Sequence, residues 1–187
     1  MRIISGKFKG KKLFIPKDKK TRPLKDITKE SIFNLIIHSK KINFDFSNTY
    51  ILDLFAGSGS FGLECLSRGS GHVTFVENYE PAYKILKNNI SSLNIIDNYE
   101  IIKKNIFEEN LYKNIGKNYN LIFFDPPFNE DKIQSLLSLI HKYQILKNKG
   151  FIIIHRHKKT KEIIHNKYEK IELRNYGISK IFFLKLK

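Results

Sequence analysis

The sequence of 187 residues has no tryptophan, one cysteine and no apolar run near the roughly 18 to 20 residues that a membrane helix needs. Cys65 has no partner for an intramolecular disulfide, and the six histidines show no zinc-binding spacing, so we expect no metal site. The N-terminus also lacks the apolar segment of a secretory signal. These absences predict one soluble, cytoplasmic domain without a membrane partner.

Acidic residues are scarce, since 18 Asp and Glu face 34 Lys and Arg, giving a net charge of +16. Residues 1–30 contain eleven basic and three acidic side chains, which is half of that net charge. A Lys- and Asn-rich composition spreads basic charge along a chain, whereas a local excess favours a polyanionic partner. We therefore predict that this segment, including Lys9, Lys11 and Lys12, contacts nucleic acid.

From residue 48 onward, short β-rich runs alternate with helical patterns, which is typical of an α/β fold with a mostly parallel sheet. The predicted strands are 50–54, 72–76, 99–102, 120–124, 150–155, 168–174 and 180–185, and the predicted helices are 60–68, 80–93, 106–113 and 131–144. No helix separates the last two strands, so they predict a C-terminal antiparallel hairpin on a seven-stranded Rossmann-like sheet.

The first 25 residues predict a small extension to this core. Segments 2–4 and 11–15 flank Gly6 and Gly10 and predict a basic β-hairpin. A helix over 26–38 should follow, with Asp26 or Thr28 as its N-cap. We expect residues 26–187 to form the catalytic core of a monomer.

A glycine-rich loop, Asp53-Leu54-Phe55-Ala56-Gly57-Ser58-Gly59-Ser60-Phe61-Gly62, follows the first strand and opens a helix. Its glycines let the backbone approach a nucleotide closely, so Phe55, Ala56, Gly57, Ser58 and Gly59 are candidate cofactor contacts. The spacing also fits dinucleotides, and Glu77 after the second strand suits either ribose. Asp53 favours S-adenosylmethionine (AdoMet), whose amino group is cationic. Asn105 and Ile106, after the third strand, are the candidate adenine contacts.

A second motif, Asp125-Pro126-Pro127-Phe128, follows the fourth strand at the edge where ligands of such sheets bind. An exocyclic amino group is a poor nucleophile because its lone pair is delocalised into the ring. Asp125 and the Pro126 carbonyl could each accept one N–H and direct that lone pair at a methyl donor. Phe128 offers a face for base stacking, and Pro127 stiffens the substrate-facing turn. A dinucleotide-dependent enzyme that transfers hydride does not require this motif. The motif therefore favours an AdoMet-dependent amino methyltransferase.

The chain resembles the RsmD type of 16S rRNA guanine-N2 methyltransferase. The resemblance rests on five blocks of residues: Arg2-Ile3-Ile4-Ser5-Gly6 with Gly10, Thr21-Arg22-Pro23, Glu30-Ser31-Ile32-Phe33-Asn34, the glycine loop through Gly62-Leu63-Glu64, and Leu66-Ser67-Arg68-Gly69. It implies a class I AdoMet methyltransferase fold and methylation of one guanine N2 in the 30S subunit or its assembly intermediate. It also implies that Arg22 lies near the active site.

Two alternatives remain beside that resemblance. The Asp125 motif also suits methylation of adenine N6 or of a glutamine amide, although the glutamine enzymes ordinarily begin this turn with Asn. A catalytically inactive RNA-binding protein of the same fold would not need Asp53, Glu77 and Asp125. One departure from similar proteins is His155-Arg156-His157, where an acidic residue often ends the fifth strand. We interpret these residues as a strand end that faces RNA phosphates.

Overall fold

A computed structural model of the protein describes residues 1–18, 24–42, 44–116, 118–161 and 163–187. Its strands are β1 (Tyr50–Leu54), β2 (His72–Val76), β3 (Tyr99–Ile102), β4 (Tyr119–Phe124), β5 (Leu146–His157), β6 (Tyr168–Tyr176) and β7 (Ser179–Leu186). Its helices are α1 (Asp26–His38), α2 (Ser60–Ser67), α3 (Glu80–Ser92), α4 (Glu109–Asn114) and α5 (Ile133–Lys142).

The strands form one seven-stranded sheet in the order β3-β2-β1-β4-β5-β7-β6. Strands β1 to β5 pair in parallel, whereas β7 is antiparallel to both β5 and β6. The predicted mostly parallel sheet with a C-terminal antiparallel hairpin is therefore confirmed. Because β1 and β4 are central neighbours, the glycine loop and the Asp125 motif leave the sheet side by side at its carboxyl edge.

Helices cover both faces of the sheet, as the apolar runs of the inner strands require. Helices α1, α2 and α3 pack with one core cluster, and α4 and α5 pack with the other. In α1, Ile32, Phe33 and Ile36 are completely buried. The predicted N-cap of this helix is wrong, because the helix starts after Lys25 without a side-chain cap. Asp26 instead accepts a hydrogen bond from the backbone N–H of Arg2 at 3.3 Å.

Residues 1–18 of the N-terminal extension form a narrow antiparallel loop with an isolated bridge between Arg2 and Lys12. The buried Glu64 of α2 anchors it, since its carboxylate accepts the backbone N–H groups of Ile4 at 2.7 Å and Ser5 at 3.0 Å. The extension is therefore docked on the helix that follows the glycine loop. Within the described ranges, no helix is long and apolar enough to cross a membrane.

Candidate active site

A cavity of about 530 Å³ opens at the carboxyl ends of β1, β2, β3 and β4. This volume is in the range of ligand pockets. The predicted residues that line it are Asp53, Phe55, Ala56, Gly57, Ser58, Glu77, Asn105, Ile106, Asp125, Pro126, Pro127 and Phe128. The structure thus gathers both sequence motifs and the two intervening strand ends around one space.

The glycine loop reaches the cavity through an uncommon backbone path. Phe55 has a φ of 59°, a value that bulky side chains rarely adopt and that occurs at functional sites. Gly59 has a φ of 80°, and a Cβ there would overlap the side chain of Leu86. Gly59 does not line the cavity, so its contribution is the sharp entry into α2. Any other residue at this point would be strained by the backbone angle and would force the Leu86 side chain to shift.

Two acidic side chains hold the loop in place. Glu77 accepts the N–H of Gly57 at 2.7 Å with one oxygen and the N–H of Tyr79 at 2.8 Å with the other. Asp53 accepts the N–H of Gly62 at 3.0 Å. Since an ionised carboxylate has about four acceptor positions, these bonds leave acceptor capacity for a ligand.

The cavity is acidic although the chain is strongly basic. Its titratable acids are Asp53, Glu77, Asp125 and Glu130, and no Lys, Arg or His of the described ranges lines it. Burial, with smaller contributions from the charges of Asp125 and Glu77, raises the pKa of Asp53 well above its usual range, against the opposing bond from Gly62. A cationic ligand relieves this repulsion, whereas the pyrophosphate of a dinucleotide would add to it. The lining therefore fits AdoMet, which carries a sulfonium and an ammonium.

The loop after β3, which carries the candidate adenine contacts, builds one end of the cavity. The Asn105 carboxamide oxygen accepts the N–H of Phe107 at 3.0 Å, which folds the chain back toward the cavity. The Phe107 and Phe55 rings then meet edge to face, with their centroids 6.3 Å apart. These rings, with the buried Ile106, give this end of the cavity an apolar surface suited to a planar heterocycle.

The Asp125 motif forms the opposite wall and is supported from β5. The Asp125 side chain is 18% exposed, and its Oδ1 lies 2.7 Å from Nδ1 of His155. Arg156 donates hydrogen bonds to the carbonyl oxygens of Pro127, at 2.9 Å, and of Glu130. The Phe128 ring meets the ring of His157 edge to face.

The interpretation of His155 and Arg156 as residues facing RNA phosphates is wrong. They are 2% and 1% exposed, because His155 is enclosed by its contacts with Asp125 and Ser179, and Arg156 by the loop that carries Pro127 and Glu130. Sequence reasoning identified the basic triplet but could not show that His155 is turned inward against Asp125 and Arg156 against the loop that follows. Further lining residues that it missed are Leu24, Ser60, Phe61, Val76, Asn78, Tyr79, Phe107, Phe123 and Glu130.

The three predicted RNA-contacting lysines lie outside this cavity. Lys9, Lys11 and Lys12 are exposed on the N-terminal extension. Arg22, expected near the active site, lies outside the described residues, as do Thr21 and Pro23. In the described ranges, no group of three His, Cys, Asp or Glu side chains could hold a metal ion.

The sheet order, the antiparallel last pair and the acidic cavity beside a glycine loop define a class I methyltransferase that uses AdoMet. A family model described as "Conserved hypothetical protein 95" matches residues 1–185. The chain belongs to this family, which is the RsmD family of rRNA methyltransferases.

Individual relatives agree with this assignment. YlbH of Bacillus subtilis is 39% identical over 155 residues, covering 82% of this chain and 80% of that protein. The "Ribosomal RNA small subunit methyltransferase D" of Buchnera aphidicola from Acyrthosiphon pisum is 35% identical over 162 residues, covering 87% of this chain and 81% of that protein. The solved structure of yhhF from Escherichia coli has the same fold, with a TM-score of 0.83 at 24% identity, covering 100% of this chain and 98% of that one.

Proposed function

We propose that this protein transfers a methyl group from AdoMet to the exocyclic N2 of one guanine in small-subunit rRNA. The observation that carries the proposal is the position of Asp125-Pro126-Pro127-Phe128 on the wall of an acidic cavity whose other wall is the glycine loop. The curated relatives named as small-subunit rRNA methyltransferases support the RNA substrate.

The residues around the cavity suit different parts of the cofactor. Glu77 is positioned to accept ribose hydroxyls, while Asp53 supplies negative charge for the methionine amino group. Asn105 and Ile106 border the adenine end. AdoMet, when bound, supplies a methyl group on a cationic sulfur. In that transfer the sulfur would keep the electron pair of its bond to the methyl carbon, so S-adenosylhomocysteine would be the leaving group.

The Asp125 motif then acts on the amino group of the base. Asp125 accepts one N–H and the Pro126 carbonyl accepts the other, so the nitrogen lone pair is held toward the methyl group. After transfer the nitrogen is cationic and acidic, and its proton leaves to Asp125 or to water. The half-buried Phe128 stacks on the base, a contact worth about 1 to 3 kcal/mol. No strong base is required.

The function is tested with radiolabelled AdoMet and small-subunit particles that lack their methyl groups, followed by nucleoside analysis. We expect N2-methylguanosine as the labelled product. Labelled N6-methyladenosine would replace the guanine assignment with an adenine one, and label in protein would point to an amide acceptor. AdoMet binding without any labelled product would indicate an RNA-binding protein. Naked 16S rRNA tested in parallel shows whether an assembled particle is the substrate.

The N-terminal lysines are proposed to contact RNA phosphates. We expect Lys9→Ala, Lys11→Ala and Lys12→Ala together to weaken RNA binding and to make the dependence of log Kd on log[salt] shallower by about 2 units, because each lost phosphate contact removes about 0.7 from the slope on single strands. Filter binding or fluorescence anisotropy at several salt concentrations measures this slope.

The matched control replaces Lys113, Lys149 and Lys167 by alanine. The connections of the sheet place all three at its amino edge, opposite the cavity, although the change in charge is the same. We expect this control to keep the salt dependence of the unaltered protein. Equal slopes in the two triple variants would mean that the N-terminal extension is not the RNA-contacting surface.

A further inference from the structure

The end of β5 supports the Asp125 motif from behind the cavity wall. His155 contacts the Asp125 side chain, Arg156 holds two backbone carbonyls of the loop, and both are almost completely buried. Neither side chain lines the cavity. Neither residue is therefore placed to touch the cofactor or the base, and their effect on the reaction has to pass through the motif.

The imidazole of His155 is held on both ring nitrogens. Nδ1 lies 2.7 Å from Oδ1 of Asp125, and Nε2 lies 2.8 Å from the hydroxyl oxygen of Ser179 on β7. An ionised carboxylate can only accept a hydrogen bond, so Nδ1 carries a proton and donates it. In the neutral ring, Nε2 then accepts the Ser179 O–H. The Ser179 bond thereby helps to hold the ring in the orientation in which Nδ1 faces Asp125.

We propose that His155 is a positioning residue, which with Ser179 fixes the Asp125 carboxylate so that Oδ2 receives the amino N–H of the substrate. This inference rests on the proposed amino-group methylation. Asp125 is only partly buried and follows directly on a strand, so without a partner its carboxylate could rotate about the side-chain bonds. The bond to His155 engages Oδ1 and leaves Oδ2 for the reacting nitrogen.

The burial of this contact strengthens the argument. His155 is 2% exposed and Ser179 is 4% exposed, so water does not compete readily for either ring nitrogen. The Phe128 ring also approaches His155 edge to face, with their centroids 6.1 Å apart. The imidazole thus contacts both the carboxylate proposed to hold the amino group and the ring proposed to hold the base. A small misplacement of either would reduce transfer, because the reaction depends on alignment.

Two near-isosteric variants separate positioning from mere filling of space. The amide nitrogen of His155→Asn lies near the place of Nδ1 and can still donate to Asp125, whereas the amide of His155→Gln reaches instead toward the place of Nε2 and Ser179. We expect His155→Gln to lower kcat about 10- to 100-fold with an unchanged KM for AdoMet, and His155→Asn to retain most of the activity. Ser179→Ala should lower kcat by less than His155→Gln. His38→Gln, an exposed change at the end of α1, is the control.

Equal losses in the Asn and Gln variants, or full activity in both, would overturn the positioning role. Nitrogen-15 NMR of the imidazoles provides a readout that does not require activity or a folded His155 variant. We expect the protonated Nδ1 form for His155 and a shift of its signal in Asp125→Asn. A protonated Nε2 with a bare Nδ1, or a signal indifferent to Asp125→Asn, would also refute the proposal.

The two proposals can fail separately. If the unaltered protein methylates no amino group, the proposed function fails, while the NMR signal still shows whether His155 donates to Asp125. If N2-methylguanosine forms but the Asn and Gln variants behave alike, the function stands and the positioning role falls.

Discussion

Asp125→Ala is expected to lower kcat for methyl transfer by about 10²- to 10⁴-fold, the range attributed to a group that handles a proton and orients a reactant. The variant loses the acceptor for the substrate N–H and the partner of His155. Affinity for AdoMet should stay close to that of the unaltered protein, because the glycine loop is held by Glu77 and Asp53 rather than by Asp125. Single-turnover methylation and calorimetric AdoMet binding measure the two effects.

Two further variants sharpen this prediction. Asp125→Asn keeps the size of the side chain and an oxygen that can accept from His155, but it removes the charge, so it separates the charge of Asp125 from its shape. Asp131→Ala is the matched control, since Asp131 is exposed six residues further on and does not line the cavity. Transfer at the normal rate by Asp125→Ala would remove Asp125 from the proposed chemistry, whatever the control shows.

The sheet was predictable because its inner strands are short apolar runs bounded by turn residues. Strands 50–54, 72–76 and 99–102 have the predicted bounds. Parallel neighbours also place consecutive strand ends at one edge, so the meeting of Asp53, Glu77 and Asp125 could be expected from the sequence. The positions of Glu130 and Phe107 in the cavity wall could not be predicted, because they depend on the irregular loops that carry these residues.

The count of charged residues predicted the structure less reliably than the strand pattern did. Lys29 counts among the eleven basic residues of the N-terminal segment, yet it is completely buried and donates to the Arg2 carbonyl at 2.7 Å. Burial lowers its pKa, while the charge of Glu64 opposes that change. His155 and Arg156 are the second example, since they are buried against the Asp125 motif and the loop that follows it. A count of basic residues therefore overstates the surface available to RNA, because burial depends on contacts between residues distant in sequence.

Asp53→Asn is expected to make the protein more stable without cofactor and to weaken cofactor binding. The raised pKa of Asp53 means that the folded state holds this proton more tightly than the unfolded state, where the pKa is about 3.9. Protonated Asp53 therefore makes its full contribution to folding stability at pH values below the unfolded-state pKa. This contribution is lost as the pH rises through the folded-state pKa. The asparagine amide still accepts the Gly62 N–H but carries no charge to repel Asp125 and Glu77. Each ~1 kcal/mol gained at neutral pH would raise the Tm by about 2–4 °C.

Cofactor binding should respond in the opposite direction, because the ionised Asp53 is the partner proposed for the cationic amino group. A lost charge-assisted hydrogen bond corresponds to about 1.5–3 kcal/mol, or roughly a 10- to 150-fold weaker Kd for AdoMet. Because a bound cation favours the ionised form of Asp53, AdoMet should bind more tightly as the pH rises, which calorimetry at several pH values detects. Asp97→Asn, an exposed change before β3, is the control for the altered charge. An Asp53→Asn variant with unchanged Tm and unchanged Kd would show that the buried charge neither destabilises the protein nor contributes to AdoMet binding.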